Sequence, residues 1–160
     1  MASIESTAEI LGRRMLLFGV GARLCACDLE VVREIVPSRP ATRLPGAPGW
    51  VRGLINLRGT LVTVIDLRVR FGTDRRTDGE EQGAMPSGVI VVVNAGGKSF
   101  GIGVSEVKEV LTVAEDAVES IDPERAAGGA VCGLVYFGAT RESTALLCDV
   151  EEIARQAFVV

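Results

Sequence analysis

The 160 residues are 48% hydrophobic but only 4% aromatic, so Val, Leu, Ile and Ala must fill any core. The formal charge of −4 argues against a phosphate-binding surface, although 15 of the 17 basic residues are Arg and leave room for a local basic patch. Histidine is absent, which excludes Ser-His-Asp and Cys-His catalysis.

Residues 1–14 read as a flexible polar arm, with Glu5 and Glu9 and no basic-then-apolar signal pattern. Met15 to Val20 and Arg23 to Asp28 read as a hairpin around Gly19 to Ala22. Glu30 to Val36 is a strand, alone or after one helical turn. Pro37, Pro40, Pro45 and Pro48 then break regular structure, and the loop ends near Trp50. Gly53 to Leu57 and Thr60 to Asp66 flank Arg58-Gly59 as a tight hairpin, and a short helix follows with Asp66 as its cap. Residues 73–88 are charged and nearly free of aliphatics, the composition of a linker. Val89 to Asn94 and Lys98 to Val104 form the next hairpin, and Glu106 to Thr112 another strand. Val113 to Ala130 reads as a mostly polar loop. Val131 to Phe137 and Thr144 to Asp149 pair before a closing helix, Val150 to Ala157, capped by Asp149. About ten short strands at regular spacing make an all-β signature.

The pattern occurs twice. RLCACDLEVVREIV from Arg23 matches KSFGIGVSEVKEVL from Lys98, Gly53-Leu54-Ile55 matches Gly133-Leu134-Val135, and Ile65-Asp66-Leu67 matches Cys148-Asp149-Val150. Such self-similarity predicts one β unit used twice. Neither copy is large enough to bury a good core alone, so the two should share an apolar interface. The expected division places 15–72 with 150–160 in one unit and 89–149 in the other, joined by 73–88.

Where the copies differ, function is the better expectation. Asn56-Leu57-Arg58-Gly59 in the first copy stands against Tyr136-Phe137-Gly138-Ala139 in the second. Arg58 reads either as an exposed turn residue or as an arginine oriented by a carboxylate for recognition, with Glu34 the partner to test. Asp66 and Asp149 occupy equivalent positions, which fits repeated helix capping better than a carboxylate pair. The glycines between Gly53 and Gly59 lack the Lys-Ser/Thr of a phosphate loop. Cys25, Cys27, Cys132 and Cys148 form no C-x-x-C pair and read as buried apolar thiols, without metal or cofactor.

The run RLPGAPGWVRGLINLRGTLVTVIDLR, Arg43 to Arg68, resembles the signature of the CheW family of bacterial chemotaxis coupling proteins. The match extends through Val32-Arg33-Glu34-Ile35 and Phe100-Gly101-Ile102-Gly103-Val104, and covers most of Leu16 to Ala154. Thr63 departs from it, since the family usually has proline there. The resemblance implies two SH3-like five-stranded β-barrels around a common core. It implies a non-enzymatic cytoplasmic adaptor between chemoreceptor cytoplasmic tips and the regulatory domain of a CheA-type histidine kinase, with weak self-association. Carried over, Glu34, Gly53, Asn56 and Arg58 fall on the partner-binding segment. Three other readings compete: a thiol-based redox sensor, an interaction module of another pathway, and a nucleic-acid-binding barrel. The last is disfavoured by acidity and scarce aromatics. Membrane insertion is not expected, because no apolar run approaches the roughly 18–20 residues of a spanning helix.

Overall fold

The computed structural model describes residues 12–71, 88–122 and 127–157. The first eleven residues of the expected arm, and the expected linker apart from Gly88, lie outside them. The first strand starts earlier than expected: β1 runs Gly12–Val20, because Gly12, Arg13 and Arg14 already pair with Ala114, Val113 and Thr112 of a later strand. β2 is Arg23–Asp28 and, after a 3-10 turn at Leu29–Val31, β3 is Val32–Pro37. β4 (Val51–Leu57) and β5 (Thr60–Asp66) form the second hairpin, followed by helix α1 (Leu67–Arg70). β6 (Val89–Ala95), β7 (Lys98–Val104) and β8 (Glu106–Ala114) repeat the opening. The stretch read as a polar loop also contains a short strand, β9 (Val118–Ser120). β10 (Val131–Phe137), β11 (Ser143–Cys148) and helix α2 (Val150–Ala157) close the chain.

The strands form two sheets, ordered β3-β6-β7-β5-β4 and β8-β1-β2-β11-β10-β9. Apart from β9 the two orders are the same once each strand is replaced by its repeat. β3 corresponds to β8, β6 to β1, β7 to β2, β5 to β11 and β4 to β10. Each sheet has one parallel pairing at the same place, β5 with β7 and β11 with β2. Each has a register shift just before the repeated glycine, between Val51 and Gly53 and between Val131 and Gly133.

This corrects the expected division of the chain. The units are not successive halves: the β1–β2 hairpin of the first copy lies in the sheet of the second copy, and β6–β7 lies in the sheet of the first. The physical reason is burial on both faces. On β1, Met15 and Leu17 face the core of their own sheet, while Leu16 and Phe18 face a second core shared with the other sheet. On β6, Ile90 and Val92 face one way and Val91 and Val93 the other. Continuous apolar runs suit strands covered on both sides, and these hairpins are the layers between the three clusters. The shared cluster joins Phe18, Cys25, Ile65, Phe100 and Ile102 to Ile153 and Ala154 of α2.

Candidate partner-binding site

The β4–β5 turn is built by its own side chains. The Asn56 side-chain oxygen accepts the Gly59 N–H at 2.8 Å. Arg58 and Gly59 both have positive φ, 52° and 85°. Two left-handed central residues match the right-handed twist of a hairpin, which is why Asn-Gly and Asp-Gly dominate such turns. An arginine in that conformation is strained by roughly 1–2 kcal/mol, yet here it occupies the turn.

Arg58 donates twice to Glu34, Nη1 to Oε1 at 3.1 Å and Nη2 to Oε2 at 2.6 Å. The expected pair is therefore formed. Glu34 is on β3 and Arg58 follows β4, the opposite edges of one sheet, so the sheet curls until its edges meet at this turn. The Arg58 side chain is 75% exposed and Glu34 28%. An ion pair in that setting contributes about 0–1 kcal/mol. Its effect is orientation: a fork-shaped donor is held outward with one face toward solvent.

Of the four residues singled out from sequence, Glu34, Asn56 and Arg58 converge on the turn. Gly53 does not. It is buried, with φ of 136°, and a Cβ there would lie 2.0 Å from the Thr42 carbonyl oxygen. Thr42 and Leu54 exchange two backbone hydrogen bonds of 2.7 Å, and that close approach requires glycine between them. Gly53 therefore belongs to the framework that carries the turn.

Two features escaped the sequence reading. Ile35 on β3 and Leu61 on β5 are large exposed aliphatics, 44% and 66% accessible, on the same strands as Glu34 and the turn. Apolar residues in strands do not announce which face meets solvent. Second, Arg52 is buried, and its Nε and Nη2 donate to Asp66 Oδ2 at 2.8 and 2.6 Å. The other carboxylate oxygen of Asp66 caps α1 through the Arg68 N–H at 2.9 Å. Its expected capping role is thus present, joined by an ion pair that capping logic alone does not suggest.

The cysteines offer little chemistry. Cys25, Cys27 and Cys148 are buried and Cys132 is half-buried. Burial pushes the Cys27 thiol up to about 12. Cys148 is held well above its ordinary range by its hydrogen bond with Cys25 and by burial. Protonated thiols are poor nucleophiles and poor metal ligands. Among the described residues, no three His, Cys, Asp or Glu side chains are grouped to hold a metal ion, and no helix is long and apolar enough to cross a membrane.

The described residues thus form a doubled, hairpin-exchanged β fold that presents an exposed arginine turn oriented by a carboxylate. The CheW-like domain family model matches residues 14–158, and the chain belongs to that family of non-enzymatic chemotaxis adaptors. The chemotaxis protein CheW of Klebsiella aerogenes is 31% identical over 154 residues, 96% of this chain and 89% of that protein. The CheW protein of Bacillus subtilis is 33% identical over 115 residues, covering 71% of this chain and 70% of the relative. The crystal structure of the scaffolding protein TtCheW from Thermoanaerobacter tengcongensis superimposes with a TM-score of 0.75 at 26% identity, covering 92% of this chain and 94% of that one.

Proposed function

We propose that this adaptor couples the cytoplasmic tips of chemoreceptors to the regulatory domain of a CheA-type histidine kinase. It would act in the cytoplasm, recruited to receptor arrays, and associate weakly with itself. The observation that carries the reading is the Arg58 turn. Its arginine is strained, exposed and oriented by Glu34, although the repeated unit folds with Gly138 at the equivalent position. Strain at a residue the fold does not need is a mark of recognition. Ile35 on β3 and Leu61 on β5 add exposed apolar area to the strands that flank the pair, and arginine and apolar side chains are both found at interface centres.

Within this reading Glu34 and Arg58 contact the partner, Asn56 shapes the turn, and Gly53 holds β4 in place. The thiol-sensor alternative is disfavoured by the burial and raised thiols of Cys27 and Cys148. The test is binding of the purified chain to a receptor-tip fragment and to the kinase regulatory domain, with wild type, Arg58→Ala and Ile35→Ser. Loss of binding by both folded variants supports the surface. Wild-type binding to both targets by both variants overturns it.

A further inference from the structure

The two copies differ at one position of this framework in a way that leaves a site open. Arg52 sits at the register shift of β4, and Cys132 sits at the corresponding shift of β10. Asp66 ends β5, and Asp149 follows β11 in the same place. The Asp66 N–H bonds Trp50 O at 2.8 Å and the Asp149 N–H bonds Ala130 O at 2.9 Å. Each aspartate also caps the helix that follows it. The scaffold around the two positions is thus repeated in outline, with Asp66 capping through the second residue after it and Asp149 through the third, but among the described residues a guanidinium sits on the first copy's aspartate and not on the second's.

Where the second copy has the shorter Cys132, there is a cleft of about 240 Å³. Its polar lining is Arg13, Asp28, Asp149, Glu151 and the Cys132 thiol. Arg13 is already engaged by Asp28, through Nη2 at 3.0 and 2.8 Å and Nε at 3.3 Å. The remaining carboxylates, Asp149 and Glu151, give the cleft a net negative charge. Burial and the neighbouring Asp149 push the Cys132 thiol up, which keeps it neutral beside that charge. The start of α2 does not forbid a cation here, since Arg52 occupies the equivalent place at the start of α1.

We propose that this cleft receives one guanidinium group from outside, bound to Asp149 over Cys132 as Arg52 is bound to Asp66. The ligand is an arginine side chain or a small guanidinium compound. The first copy supplies the template: a planar donor fork on the aspartate that caps the helix.

The experiment is amide chemical-shift titration of the intact chain with N-acetyl-arginine methylamide, with the neutral citrulline analogue alongside. Saturable shifts at Cys132, Asp149 and Glu151 with the arginine probe only are expected. Asp149→Asn should weaken them about tenfold or more, because a charged acceptor is lost while asparagine keeps the helix cap. Cys132→Arg should abolish them by filling the cleft from within. If Cys132→Arg does not fold, the Asp149→Asn comparison decides alone. Free L-arginine separates the sources: equal affinity points to the small molecule, and weaker binding to a side chain presented by a protein. No saturable shift, an equal response to citrulline, or no change in Asp149→Asn overturns the proposal.

Discussion

Arg52 and Asp66 form an ion pair that water does not reach: two guanidinium nitrogens meet one carboxylate oxygen, and the side chains are 2% and 0% exposed. Such pairs add little over a well-packed apolar pair, but breaking one by removing a single partner typically costs about 3–5 kcal/mol. Arg52→Met should therefore destabilise by roughly that amount in urea unfolding. The double change Arg52→Met with Asp66→Asn should recover part of the loss. Near-wild-type stability of the single variant would show the pair to be unimportant.

The opposite holds at Arg58. Its pair with Glu34 is mostly exposed, so Arg58→Ala should change stability by no more than about 0.5–1 kcal/mol. Loss of partner affinity should be larger, about 2 kcal/mol or above if the arginine sits at an interface centre. Thermal melting beside equilibrium binding separates the two effects. Gross unfolding would place Arg58 in the framework.

Gly53→Ala should fail for a backbone reason. The added methyl meets the Thr42 carbonyl at 2.0 Å, in a φ region that L residues rarely adopt. The expected loss exceeds the roughly 1–3 kcal/mol of backbone strain alone, read as a fall in the melting temperature. Asn56→Ala removes only the turn bond to Gly59 and should lower stability by about 1 kcal/mol. A Gly53→Ala variant that melts normally yet loses binding would move Gly53 from framework to contact.

The thiols set an alkaline limit. Cys27 is raised from 9.0 to about 12 by burial, so the folded state keeps its proton where the unfolded chain releases it. The stability this contributes is complete below pH 9 and is lost as pH rises toward 12. Denaturation midpoints should fall across that window, and Cys27→Ala should flatten the decline. In native protein at neutral pH, Cys27 and Cys148 should resist thiol reagents until the chain is unfolded. Rapid modification of either would contradict the burial described.

Much of the fold could be read from local pattern. The hairpins, the Asp66 and Asp149 caps and the pairing of Glu34 with Arg58 follow from turn residues, capping logic and a polar insert between apolar strands. The exchange of hairpins could not be read, because two like copies offer like strand edges, and period alone does not say which copy's edge a hairpin will join. β9 was missed because three residues carry too little alternation to mark a strand. Arg52 was overlooked because charged residues are rarely buried in full, and nothing local marks this one as an exception. Resemblance puts Gly53 on the binding segment, while its close approach to the Thr42 carbonyl is a matter of packing that no local pattern shows.

The hairpin exchange also bears on how a scaffold transmits position. Neither sequence copy can be separated from the other without withdrawing two strands from the middle of a sheet. The two sheets also share one apolar cluster, which includes Phe18 and Cys25 of one and Ile65, Phe100 and Ile102 of the other. A partner seated on one sheet would be positioned, through that cluster, relative to a partner seated on the other. A lattice assembled from such pieces would inherit its spacing in part from the weave of the chain.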